Sequence, residues 1–113
     1  MATLTVATAV RTTNGVNLVG VSAAGGGDVF PNTGSEVVVI KNGSGSPITL
    51  TVVTPATVDG LAVADLTASI GAGETRMVGP FPTAVYSDGS GNVSLTYSAV
   101  TTVTLAVVKV AAA

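Results

Sequence analysis

Asp59 and Asp65 stand six residues apart and could converge as the carboxylate pair of glycoside hydrolysis, one acid protonating the leaving oxygen opposite its partner. Such sites lie in grooves lined by aromatic rings, and this chain offers only Phe30, Phe81, Tyr86 and Tyr97. The two aspartates therefore read as loop caps or surface groups. Lys41 or Lys109 beside a serine could imitate a Ser-Lys dyad. Both lysines close predicted strands, where a charge blunts a sheet edge. Asp88-Gly89-Ser90-Gly91-Asn92 spaces oxygen ligands at alternate positions, as calcium loops do. Ala99 occupies the place of the closing bidentate glutamate, so the stretch reads as a turn. Gly25-Gly26-Gly27 lacks the Lys-Ser/Thr pair and the helix that a phosphate loop requires. Asn42-Gly43-Ser44 and Asn92-Val93-Ser94 fit the N-glycosylation pattern, which matters only in a eukaryotic secretory route.

The chain has no His, Cys, Trp or Gln. Ser-His-Asp triads, cysteine nucleophiles, the usual zinc sites and disulfides are thereby excluded. No catalytic residue, metal site or cofactor is expected, and the chain reads as a non-enzyme.

With 113 residues there is room for one domain, spanning 1–113. Charged residues make up 9%, against roughly 25% in an ordinary soluble domain. The four cations (Arg11, Lys41, Arg76, Lys109) are scattered along a chain of net charge −2 and form no basic stripe, so nucleic acid is not an expected partner. The longest aliphatic run, Val37-Val38-Val39-Ile40, falls far short of the ~20 residues of a spanning helix, and no secretory signal is visible at the N-terminus. A soluble chain with no membrane partner is expected.

Val (21), Thr (17), Ala (16) and Gly (14) make up most of the sequence. β-Branched side chains lose rotamer freedom in helices and pack well on a pleated surface. Val93–Ser98 and Ile48–Val52 alternate apolar and hydroxyl residues, as half-buried strands do. Leu4-Thr5-Val6 starts another strand. Glu36–Lys41 is apolar on both faces and predicts a central strand covered on both sides. Thr102–Val110 predicts a long final strand with a buried second half. Leu61–Ile70 reads as one bent strand in preference to a short helix, Glu74–Val78 and Thr83–Tyr86 as short strands, and Asn17–Ser22 as a weaker one. Asn14-Gly15 suits a tight type I′ turn. Asn42–Pro47 and Asp88–Asn92 read as hairpin connections, and Gly71-Ala72-Gly73 as the turn before Glu74. About eight short antiparallel strands with Gly-rich turns predict an all-β domain, a β-sandwich or jelly roll.

Both phenylalanines precede proline, as Phe30-Pro31 and Phe81-Pro82, and proline holds the preceding residue extended. Each ring is either an interface anchor or a plug for the end of the sandwich core. Residues 1–10 lack charge and could form an arm that pairs with a neighbour through Leu4 and Val6, or the first strand of the chain's own sheet. Outward strand positions are largely Thr, Ser and Ala. Such a surface can be buried against a neighbour with few ions leaving water, so homo-oligomerisation or docking on a lattice is expected.

The stretches 42–52 (Asn-Gly-Ser-Gly-Ser-Pro-Ile-Thr-Leu-Thr-Val), 71–82 (Gly-Ala-Gly-Glu-Thr-Arg-Met-Val-Gly-Pro-Phe-Pro) and 91–98 (Gly-Asn-Val-Ser-Leu-Thr-Tyr-Ser) resemble small virion structural proteins of tailed bacteriophages, most closely capsid decoration, or cement, proteins. The likeness covers roughly residues 28–110 and is one of style and turn placement. It implies a β-sandwich, often trimeric, on the outside of the head near local three-fold positions. There it would bridge major capsid subunits against internal DNA pressure, after synthesis in the host cytoplasm. No family contact residue transfers position by position. A tail or head–tail connection protein, or a carbohydrate-binding or adhesin sandwich, would share this composition.

Overall fold

A computed structural model of the chain describes residues 2–9 and 20–110. Twelve short strands and one helical turn occur among them: β1 (Ala2–Thr3), β2 (Val6–Ala9), β3 (Val21–Ser22), β4 (Asp28–Pro31), β5 (Glu36–Asn42), β6 (Ile48–Val52), β7 (Thr57–Val58), β8 (Leu61–Ala62), β9 (Leu66–Ile70), β10 (Thr75–Val78), α1 (Thr83–Tyr86), β11 (Asn92–Tyr97) and β12 (Val103–Val110). One sheet runs β1-β4-β11-β6-β9 and the other β10-β5-β12-β2, with β3 also on β12. Their inner faces meet in a single core, so the domain is an all-β sandwich.

The antiparallel pairings nest: β4 with β11, β5 with β10, β6 with β9, and β7 with β8. A jelly roll is wound from such a ribbon, but here the innermost pair stands as its own two-stranded sheet and leaves the second large sheet to be completed by β12. The loops 43–47 and 71–74 each carry the chain from one sheet to the other. Asn42–Pro47, expected as a hairpin connection, is such an arch, because β5 and β6 lie in different sheets.

The N-terminal strands are parallel, not antiparallel. β1 pairs with β4 in one sheet, and β2 pairs with β12 in the other. Leu4 makes the crossing, donating its N–H to the Val29 carbonyl at 2.7 Å while its side chain is buried. Residues 2–9 thus close one side of the chain's own sandwich, and the 71–74 turn closes the other.

Alternation explains the core. Val38 and Ile40 on β5, Leu50 and Val52 on β6, Val93 and Leu95 on β11, and Val103, Leu105 and Val107 on β12 are all buried. Phe30 and Phe81 join them, with centroids 5.9 Å apart, and Tyr86 meets Phe81 edge-on at 5.5 Å. Such pairs add about 0.5–1.5 kcal/mol each beyond their burial. The strand expected at Thr83–Tyr86 is instead one helical turn, in which the Tyr86 N–H reaches the Pro82 carbonyl at 3.0 Å. That turn brings Tyr86 back against Phe81, five residues earlier, while Phe81 itself packs on the distant Phe30.

Two burial expectations change. The outer-facing residues Val37 and Val39 of β5, and Ala106 and Val108 of β12, are only half-buried, so both strands are covered on one face by the described residues. The bent strand expected over Leu61–Ile70 is two strands, β8 and β9. Asp59 and Gly60 take positive φ (52° and 77°), the type I′ geometry that folds β7 onto β8. The Asn14-Gly15 turn and the start of the 17–22 strand lie outside the described residues.

Candidate functional site

The residues with chemistry in their side chains are mostly occupied in holding loops. Asp59 sits exposed in the β7–β8 turn, while one oxygen of Asp65 accepts the Thr54 N–H at 2.8 Å and ties the base of that excursion. Asp65 thus caps a loop, and Asp59 belongs to a tight turn. One Asp88 carboxylate oxygen accepts the N–H groups of Ser90 (2.8 Å) and Asn92 (3.1 Å), so the would-be calcium loop is an aspartate-capped turn leading into β11. It joins α1 to β11, so it is not a hairpin connection. No cluster of three or more Asp or Glu side chains capable of holding a metal occurs among the described residues.

Lys41 and Lys109 do not blunt sheet edges. They lie on β5 and β12, the two inner strands of their sheet, and the edge strand β10 carries Arg76 instead. Arg76 and Glu74 form an ion pair at 3.0 Å. The Gly71 N–H, followed by the Arg76 guanidinium, holds the Glu74 carboxyl below its usual range.

Of the five buried polar side chains, Thr54 follows β6, and the other four, Asp28, Asn32, Glu36 and Asn42, lie at or just past the ends of β4 and β5. On β5 the inward row is Glu36, Val38, Ile40, Asn42: two apolar residues flanked by polar ones. Glu36 accepts N–H groups from Thr33 (2.8 Å) and Ser35 (3.1 Å) and the Thr33 hydroxyl. Burial opposes its ionisation, but these donors outweigh it and hold the carboxyl below its usual range. Asn32 donates to the Phe81 carbonyl and the Ser87 hydroxyl and so moors the Phe81-Pro82 segment. Asn42 donates to the carbonyls of Ser46, Ile70 and Gly71, joining both arches at its end of the sandwich.

Asp28 closes the 23–28 loop. One carboxylate oxygen accepts the Tyr97 hydroxyl at 2.7 Å and the Ala24 N–H at 3.1 Å, while the other is buried without a partner. Burial, reinforced by the Asp28 carboxylate, pushes the Tyr97 hydroxyl well above the usual phenol range. Gly27 belongs to this clasp, not to a phosphate cradle. Its φ is +92°, and a Cβ there would stand 2.5 Å from the Leu95 carbonyl oxygen.

The candidate interface residues are placed as follows. Leu4, Phe30 and Phe81 are buried in this chain's own core, and Val6 packs half-buried against it. The phenylalanines therefore plug the sandwich and present no surface to a partner. All four aromatic residues of the chain are described, and none is an exposed platform.

What remains outward is a band on the second sheet. Met77, Val39 and Ala106 lie in one row across β10, β5 and β12, and Val37, Val108 and Ala7 lie in the next row across β5, β12 and β2. Met77 is 71% exposed and the other five are half-buried. Lys41 stands at the end of this band beside Thr75 and Thr104. The band has the chemistry of a docking face, with apolar and hydroxyl groups and a single cation. Its signal in the sequence was the two-faced apolar run on β5 and β12.

No protein-family model, curated protein or solved structure matches the chain. Among the described residues no helix is long and apolar enough to cross a membrane.

Proposed function

We propose that this chain is a non-enzymatic virion structural protein that binds the outside of a tailed-phage capsid and stabilises the lattice by bridging major capsid subunits. The supporting observation is the apolar band on the outer face of the β10-β5-β12-β2 sheet. A chain with 9% charged residues leaves Val37, Val39, Met77, Ala106 and Val108 facing outward, where a partner can cover them with little desolvation of ions. Asp28, Asn32, Glu36 and Asn42 serve as buried loop clasps, which suits a part that must be rigid more than one that must turn over substrate. The resemblance of residues 42–52, 71–82 and 91–98 to decoration proteins points to the same role.

The test is co-sedimentation of the purified chain with empty heads of the virus that carries its gene, followed by electron microscopy of the decorated particles. Saturable binding at a fixed number of copies per capsomer, with density on the outer surface, is the expected result. Density on tails or at the head–tail junction would assign it to the connector instead. Heads that take up no chain in either the immature or the expanded form would overturn the reading.

A further inference from the structure

Two features of the fold stand outside the packing of the described residues. One is the β7–β8 hairpin, which pairs with neither large sheet and carries Leu61, 73% exposed, next to the Asp59-Gly60 turn. The turn is rigid in type, because both of its residues occupy the left-handed region, and Asp65 holds its base through the Thr54 N–H. The other is a dent of about 200 Å³ in the apolar band, lined by Val39, Lys41, Thr75, Thr104 and Ala106. Roughly 150 Å³ is enough to enclose a benzene-sized apolar group, so the dent can take a branched aliphatic side chain. Lys41 at its rim is exposed, and the Arg76–Glu74 contact is the sole ion pair among the described residues.

We infer that copies of this chain associate head to tail, the Asp59-Gly60-Leu61 tip of one seating in the Val39-Lys41-Ala106 dent of the next. Leu61 fills the apolar floor, and the Asp59 carboxylate, two residues away on the same tip, reaches the Lys41 ammonium. The tip offers an apolar side chain and an anion, and the dent an apolar floor and a cation. Each copy offers one of each, so the contact propagates from copy to copy until a ring closes. The apolar term supplies most of the affinity. The Asp59–Lys41 pair, at the rim, fixes orientation and makes association salt-dependent. This inference rests on the reading of the chain as an assembling virion component and assigns the Lys41 end of the band to the contact between copies, leaving Met77, Val37 and Val108 for the lattice. Three copies, about 33 kDa from a chain of 10.9 kDa, is the ring that reading calls for.

The experiment is light scattering after size exclusion, across a hundredfold range of concentration, on the full chain and four variants. Wild type is expected to form a closed oligomer that weakens as salt rises. Leu61→Ser, at an exposed position, should raise the dissociation constant at least tenfold with the circular dichroism spectrum unchanged. Lys41→Glu should do the same by placing two carboxylates together. Asp59→Asn keeps a residue that tolerates positive φ, and alone it should weaken association only a few-fold. Added to Lys41→Glu, it should recover part of the lost association, which a merely structural role for either residue would not produce.

Association untouched by Leu61→Ser and Lys41→Glu, or a wild type that is monomeric at every concentration, overturns the inference. So does a Lys41→Glu, Asp59→Asn double variant no better than Lys41→Glu alone. A monomer that still decorates heads would overturn this contact and leave the proposed function standing. A ring that responds to the variants as stated but ignores heads would do the reverse.

Discussion

Asn42 is the side chain on which the arches at one end of the sandwich depend most directly. Its amide donates to the Ser46 carbonyl at 2.8 Å, the Ile70 carbonyl at 3.1 Å and the Gly71 carbonyl at 3.3 Å, and its oxygen accepts the Ser44 N–H (3.0 Å) and hydroxyl (2.6 Å). Ser46 and Gly71 belong to the two loops that cross between the sheets, so one buried group ties β5-to-β6 and β9-to-β10 together. In Asn42→Ala the Ser46 carbonyl keeps the Ser44 hydroxyl and the Gly71 carbonyl keeps the Glu74 N–H. Four well-formed bonds are still lost, each worth about 1 kcal/mol net. Water can replace the ones nearest the surface, which leaves a cost of about 2–3 kcal/mol. Domains of this kind have roughly 5–15 kcal/mol in total, so the effect is large. With a urea m-value of about 1–3 kcal/mol/M, the unfolding midpoint should fall by roughly 0.7–3 M at unchanged m. Circular dichroism is the appropriate probe, since the chain has no tryptophan. Asn42→Asp sharpens the test, because it retains the Ser44 contacts but faces three carbonyls with a carboxylate. Its deficit should exceed that of alanine at pH 7 and shrink as the pH falls and the new acid protonates. A midpoint within 0.3 M of wild type for Asn42→Ala would refute the clasp.

Other outcomes follow from the same geometry. The Glu36 carboxyl is held below its usual range, so its stabilisation is complete above the pKa of the unfolded chain, about 4.5, and fades as pH falls through the lower folded value; Glu36→Gln should be less stable at pH 7 and show a flatter acid limb in denaturation from pH 7 to 2. Tyr97 is shifted the other way. Its stabilisation is present below the ordinary phenol pKa of about 10 and is lost as the unfolded state ionises above it, so alkaline titration followed by ultraviolet absorbance should show Tyr97 ionising only with unfolding. Tyr97→Phe leaves Asp28 with a single donor, the Ala24 N–H, and should cost about 2–3 kcal/mol in urea denaturation. Gly27→Ala should cost about 2 kcal/mol or more, since its Cβ would meet the Leu95 carbonyl at 2.5 Å on a backbone of positive φ, whereas Gly25→Ala meets nothing within 4 Å and should leave the melting temperature nearly unchanged.

Much of this molecule was legible from residue types alone. The abundance of Val and Thr in alternating runs dictated strands, because β-branched side chains favour a pleated surface over a helix, and Ile48–Val52 and Val93–Ser98 emerged nearly as read. The lack of His and Cys by itself removes the common imidazole and thiolate chemistries. The sequence also marked β5 and β12 as apolar on both faces. Tertiary structure alone decided which of those faces would be covered, because cover comes from residues distant in the chain; it buried Val38 and Leu105 and left Val39 and Ala106 facing outward. It sent Asn42–Pro47 across to the opposite sheet, set β1 and β2 parallel on two different sheets, and seated Phe81, with Tyr86 against it, on Phe30. The Phe-Pro pairs had two readings in the sequence, anchor or plug, since a stiff extended segment serves either equally well. Only the neighbours in space, Tyr86 and the facing sheet, drew both rings inside. The polar clasps at Asp28, Asn32, Glu36 and Asn42 were invisible for the same reason: a lone carboxylate or amide at a strand end looks like a solvated surface group until its donors and acceptors, up to 69 residues away, are brought to it.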